Sequence, residues 1–189
     1  MNKNGILVID LELTCWEKCQ EKGVREIIQV GIVNLDPMTL EETHSQSYYV
    51  KPQHNTELSE YCKNLTGLTN NNIFKEGNHL EDVINTLSNK WGFSNKVLIF
   101  WGDDHLDFKR DCDRLKIENK TSKNVINFGL QYSLFYSFKK QESLRNIGLV
   151  NAMREEGMDF EGRQHDGLVD AKNTARLYKT FMNRQVRSD

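Results

Sequence analysis

The apolar positions of the chain change their spacing partway along it. In the first fifty residues they come as short, β-branched runs: residues 5–13 (GILVIDLEL), 26–35 (EIIQVGIVNL) and 45–50 (SQSYYV). Runs of this length predict strands, and Asp36-Pro37 and Lys51-Pro52 mark where two of them end, since proline cannot donate to a ladder. In sequence they read as an antiparallel meander. From residue 80 onward apolar residues recur every three or four positions. Residues 80–91 and 106–117 read as helices, 96–101 (KVLIFW) and 125–128 as strands, and 143–153 and 167–182 as further helices. The last places Leu168, Ala171, Ala175, Leu177, Tyr178 and Phe181 along one apolar stripe. Three strands followed by alternating helices and strands predict an α/β fold, with a mixed five-stranded sheet and helices on both faces.

Composition narrows the class. At 189 residues, with 38% hydrophobic residues and only 2 Pro and 12 Gly, the chain can bury a sizeable core, and it is read as a single domain over residues 1–189 with a core from about 6 to 182. Its apolar runs fall far short of the roughly 20 residues that cross a bilayer. No hydrophobic segment follows Met1-Asn2-Lys3-Asn4, so neither a membrane nor a secreted protein is expected, and a cytoplasmic one is. Cys15, Cys19, Cys62 and Cys112 are then expected as reduced thiols. A zinc site would want a second ligand pair beyond Cys15 and Cys19. A net charge of -2 argues against a protein that coats nucleic acid. It leaves room for an enzyme that acts on nucleic acid at one acidic, metal-loaded site, where ions supply the local positive field.

Three features could carry chemistry. Asp10 and Glu12 lie two apart in an otherwise apolar strand, so both carboxylates project to one face; a hard divalent ion would relieve their repulsion, and the alternative is a solvated strand face. His165 precedes Asp170 by five residues where the last helix begins, which sets an imidazole on a loop beside a carboxylate on a rigid element. Asp103, Asp104 and Asp107 follow Trp101-Gly102, where a strand gives way to a helix. Capping the helix is the ordinary use of an acid there, and these residues alone do not choose among the three.

Together the features resemble the DEDDh 3′–5′ exonucleases of the RNase H-like superfamily: Asp10 and Glu12 match the first motif, an aspartate after Trp101-Gly102 the second, and His165 with Asp170 the third. The resemblance runs from about Ile6 to Met182. The segments DLELTCWE, REIIQVGIV, LSEYCKNLTGLT and the stretch from WGDD to Cys112 are most similar to the Eri-type exoribonuclease branch. In that branch the second-motif aspartate stands four residues before an apolar helix residue and eight or nine before a cysteine, a spacing that selects Asp104, with Phe108 and Cys112 at those offsets.

The resemblance implies an RNase H-like fold and a two-metal hydrolase. Asp10, Glu12, Asp104 and Asp170 would hold two Mg²⁺ or Mn²⁺ ions about 3.5–4 Å apart, and His165 would take the proton of the attacking water. The expected partner is a single-stranded nucleic acid with a free 3′ end, RNA before DNA, cut to nucleoside 5′-monophosphates. Leu13, Thr14 and Trp16, just past the first acids, and Leu68 are the expected contacts for the terminal nucleotide. Arg25, Lys139, Lys140 and Arg145 are candidates to follow the backbone phosphates. The chain departs from the branch at Leu13, Gln164 and Gly167, positions that shape the pocket rather than the acid set. No nucleic-acid-binding extension of the kind some relatives carry is expected. The alternatives are a DNA-directed DEDDh exonuclease and a non-catalytic RNA-binding module.

Overall fold

The computed structural model describes residues 5–18 and 24–186, with the side chain of residue 186 left out; Cys19, and with it any pairing to Cys15, lies outside the described residues. Its frame is one five-stranded sheet in the order β3-β2-β1-β4-β5. Strands β1 (Ile6–Leu13), β2 (Ile27–Leu35) and β3 (Glu42–Tyr49) form the antiparallel meander, and β4 (Val97–Phe100) and β5 (Val125–Asn127) add to the other edge of β1 in parallel. The expected mixed sheet is therefore present, and β1 lies at its centre.

Helices cover both faces. Leu7, Ile9, Leu11 and Leu13 point to one side and pack against α2 (Leu80–Thr86), the π-helical turn that extends it (Leu87–Trp91), and Phe108 and Cys112 of α3 (Asp104–Leu115). Val8, Val33 and Leu35 face the other way, onto Phe128 and Tyr132 of α4 (Phe128–Lys140), Ala152 and Met153 of α5 (Leu149–Glu155) and Ala171, Ala175 and Tyr178 of α6 (Gly167–Val186). Among the described residues no helix is long and apolar enough to cross a membrane.

Two helices correct the sequence reading. The segment FGLQYSLFYSFKK is α4, although aromatic residues and serine scattered through it hid any stripe; its start is set by the Asn127 side chain, which accepts the Leu130 N–H at 2.8 Å. The helix expected over 143–153 begins only at Leu149, and residues 142–146 run exposed ahead of it. A further short helix, α1 (Glu60–Thr66), was not anticipated. Ser59 caps its start and Gly67, at φ 76°, ends it.

Candidate active site

The pleat of β1 decides where its acids go. Val8, Asp10 and Glu12 share the face that looks toward α6, and their partners across the β1–β2 pair are Val33, Gly31 and Gln29. The first turn of α6 settles on those partners. A Cβ on Gly31 would come within 2.0 Å of the Gly167 carbonyl oxygen, so glycine is what lets the helix approach. The Gly167 N–H donates to Gln29 Oε1 at 2.9 Å, and the Asp166 carboxylate caps the helix by accepting the N–H groups of Leu168 (3.0 Å) and Val169 (3.2 Å). Asp170 thus stands in the first turn, above Asp10 and Glu12. Its Oδ2 accepts the His165 N–H at 3.0 Å, and His165 itself adopts φ 63°.

Asp104 arrives from the opposite edge. Strand β4 pairs with β1 only along Ile6–Val8 and ends at Phe100, which leaves the Leu11 N–H open on that edge. Asp104, the first residue of α3, fills the gap by accepting that N–H at 3.2 Å. Asp103 is exposed and accepts the Asn127 side-chain N–H at 2.8 Å, while Asp107 pairs with Arg110. Neither lines the cavity that Asp104 lines.

That cavity has a volume of about 400 Å³, and Asp10, Glu12, Asp104, His165 and Asp170 all border it. Glu12, His165 and Asp170 bring possible ligand atoms within 4.8 Å of one another. The charges are frustrated. Burial, then the carboxylates of Asp104 and Asp170, hold the Asp10 carboxyl well above the usual range; burial, then Asp170 and Asp104, push Glu12 from 4.5 to about 8. Burial raises Asp104 and Asp170 to about 6, against the pull of the Leu11 and His165 N–H groups. Among the described residues no Lys or Arg forms an ion pair with any of the four acids. An oxygen-rich, self-repelling cluster of this kind suits hard divalent cations, so the residues present fit the expected metal.

The expected nucleotide contacts are distributed differently. Leu13 is buried on the far face of β1 against α2 and α3. Thr14, 2% exposed, bridges the Val24 carbonyl and the Glu26 N–H, each at 2.9 Å. Leu68, 5% exposed, packs with Ile28, Leu58, Cys62 and Ile73. Trp16 is half-buried, and it does not line the cavity. The apolar walls are instead Trp101, Leu149, Val150 and Phe160, with Asn151 and Gln164 as polar neighbours. Of these the sequence singles out Gln164 alone, as a position that shapes the pocket; the others escape it because no spacing rule links residues 101, 149–151 and 160. Sequence reading also missed Asp166, although an aspartate directly before an apolar helix is an N-cap signal. Of the candidate phosphate contacts, Arg25 stands near enough to Asp104 to offset a part of the rise that burial gives its carboxyl, while Lys139, Lys140 and Arg145 sit at the far end of α4 and in the loop after it.

A mixed sheet whose central strand carries two acids, met by a third from one edge and a fourth with a histidine from a helix start, defines a class of nuclease fold. Residues 7–178 match the Exonuclease (RNase_T) family, and the chain belongs to that family. Among individual proteins it is 33% identical over 181 residues to the Homo sapiens 3′-5′ exoribonuclease 1, covering 91% of this chain and 50% of that protein. The chain spans about half the length of the curated relatives it matches first. Among solved structures it resembles the nuclease domain of 3′hExo, described as a DEDDh family member bound to rAMP, with a TM-score of 0.84 and 27% identity over 95% of this chain and 92% of that one. A 3′-exonuclease described in 3′-end-specific recognition of a histone mRNA stem-loop gives 0.83 and 27%, over 95% and 64%.

Proposed function

We propose that the chain is a metal-dependent 3′–5′ exonuclease that releases nucleoside 5′-monophosphates one at a time from single-stranded RNA with a free 3′ end. The observation that carries this reading is the convergence of Asp10, Glu12, Asp104 and Asp170, together with His165, on one cavity, with no Lys or Arg among the described residues ion-paired to any of the four acids. The four acids would hold two Mg²⁺ or Mn²⁺ ions. Bound there, such ions activate water and stabilise the departing 3′ oxygen. Everything else falls to the chain's own groups. His165, on the cavity wall beside Glu12 and Asp170, accepts the proton of the attacking water. Asp170 steadies that histidine by accepting its backbone N–H, and Asp104 is held in line by the Leu11 N–H.

A space of about 400 Å³ suits a single nucleotide unit, in keeping with removal of one residue at a time. Trp101 and Phe160 offer flat apolar surface to a base, and Asn151 and Gln164 offer polar contacts to a sugar. The preference for RNA rests on relatives that carry exoribonuclease names and on the rAMP complex of a similar domain. Free Cys15, Cys62 and Cys112 are in keeping with a cytoplasmic setting. The test is degradation of 3′-hydroxyl single-stranded RNA and DNA of one sequence, with Mg²⁺ and with EDTA. Stepwise loss of nucleotides from the RNA, abolished by EDTA, is the expected result. Undiminished cleavage under chelation would overturn the metal reading, and faster DNA digestion would move the enzyme to the DNA-directed alternative.

A further inference from the structure

The loop that carries His165 is held in an unfavourable shape. His165 has φ 63°, a region that side chains other than glycine rarely occupy, and Gly162, three residues earlier, has φ 89°. Such a backbone persists only where its surroundings over-determine it. One anchor is internal to the α6 region. The Asn173 side chain, 1% exposed, donates to the Glu161 carbonyl at 2.8 Å and accepts the Glu161 N–H at 3.1 Å, and Asp170 takes the His165 N–H.

The second anchor reaches across the molecule. Arg163 donates from Nη2 to the carbonyl oxygens of Asn64 (2.7 Å) and Leu65 (3.4 Å), the last turn of α1. The guanidinium lies against Gly67, where a Cβ would come within 2.5 Å of Nη1, so the glycine that ends α1 also makes room for it. Helix α1 in turn leans on the end of β1: the Cys62 thiol points at the Leu13 carbonyl at 3.8 Å, and Ser59 Oγ donates to the Cys15 carbonyl at 2.6 Å. A chain of contacts thus runs from the strand bearing Asp10 and Glu12, through α1 and Arg163, to a residue two positions before His165.

We infer that Arg163 is a positioning residue for the reaction proposed above: it pins the loop to α1 so that His165 is kept at φ 63° and its imidazole faces Glu12 and Asp170. This rests on the exonuclease reading for its consequence but on the contacts for its substance. Without the arginine the loop loses its tie to α1 and keeps its contacts to α6, among them the Asn173 and Asp170 anchors, the Glu161–Arg176 ion pair and the Asp166 cap; residue 165 can then relax toward ordinary negative φ, carrying the imidazole off the water it must deprotonate. The metal-holding acids, all outside this loop, stay where they are.

The test has one readout that needs no activity and one that does. Hydrogen exchange should show the His165 amide at least about 10-fold less protected in Arg163→Ala than in the parent, with Arg163→Lys intermediate, since an ammonium can donate to one of the two carbonyls. Unchanged exchange at His165 overturns the tether whatever the activity. In single-turnover cleavage of a short 3′-hydroxyl RNA with Mg²⁺, Arg163→Ala should slow the step about 10- to 100-fold with little change in the RNA concentration for half-maximal rate. Combined with His165→Ala, it should cost nothing further. A loss of equal size in the His165→Ala background, or one expressed in RNA affinity, makes Arg163 an RNA contact and overturns the inference. A parent that degrades neither RNA nor DNA, with exchange altered as expected, would leave the tether standing and remove the exonuclease reading instead. If alanine disturbs folding, Arg163→Gln, which keeps much of the length and polarity, takes its place in both measurements.

Discussion

Replacing Glu12 by glutamine should stabilise the protein once divalent metal is removed, by an amount that grows with pH. Glu12 is 8% exposed, and burial with the neighbouring Asp170 and Asp104 carboxylates raises its pKa from 4.5 to about 8. A carboxyl with a higher pKa folded than unfolded holds its proton more tightly in the folded chain. Below about pH 4.5 both states are protonated and the group costs nothing; as pH climbs toward 8 the folded state is increasingly penalised. Converted in full, the shift amounts to about 5 kcal/mol above pH 8 and about 2 kcal/mol at pH 6. Because the acids share their repulsion and the site can relax, about half of each is the realistic expectation. Glutamine has nearly the same shape and carries no charge, so it removes the penalty without opening a cavity. Thermal melts of parent and Glu12→Gln in EDTA at pH 4.5, 6 and 8 measure it. The two should coincide at pH 4.5, and the variant should melt roughly 5–10 °C higher at pH 8. Added Mg²⁺ should then raise the parent more than the variant, since the metal relieves a repulsion the variant no longer has. Equal melting at every pH, or a less stable variant at pH 8, would refute the claim that the acid cluster is electrostatically frustrated without metal.

The remaining expectations are briefer. Asp104→Asn should reduce turnover by at least about 100-fold, while Asp103→Asn, which weakens one exposed contact to Asn127, should cost at most about 1 kcal/mol and keep turnover; the opposite pattern in paired rate and melting measurements would exchange their roles. Gly31→Ala should destabilise by about 3 kcal/mol in urea titration, because its Cβ has no room beside the Gly167 carbonyl, and a loss below about 1 kcal/mol would contradict the close approach of α6. His165→Ala should slow single-turnover cleavage about 10²- to 10⁴-fold and keep the stabilisation by Mg²⁺; an unchanged rate would remove the histidine from proton transfer. Parent activity should fall as pH drops through about 6, since the raised Asp104 and Asp170 carboxyls then take up protons that compete with metal, and higher Mg²⁺ should shift the fall to lower pH.

The elements that bear the acids were legible because each obeys a local rule. Alternation along β1 puts Asp10 and Glu12 on one face whatever the strand pairs with, and the stripe from Leu168 to Phe181 makes α6 a helix with Asp170 in its first turn. No local rule separates Asp104 from Asp103; the spacing of the resembled branch selected it, and in the structure Phe108 and Cys112, four and eight positions further on, are buried, so Asp104 turns toward the sheet while Asp103 stays outside. Local rules stop at the edge of an element. Nearness in sequence placed Leu13 and Thr14 beside the substrate, whereas the pleat sends Leu13 to the opposite face from Glu12, and Thr14 is spent on Glu26 and Val24. Helix α4 went unread because its apolar residues form no stripe, lying between the core and an exposed face that keeps Leu130, Leu134 and Phe138. The contacts that assemble the site join residues far apart in the chain: Leu11 to Asp104, Gln29 to Gly167, Arg163 to Asn64. They follow from the order β3-β2-β1-β4-β5, which sets β1 between an antiparallel partner that receives α6 and a parallel partner that delivers α3. Residue types and their periodicity determine which side chains the site can use. Only packing of the whole sheet brings them within reach of one another, because the energy that holds them there is spread over contacts that no short window of sequence contains.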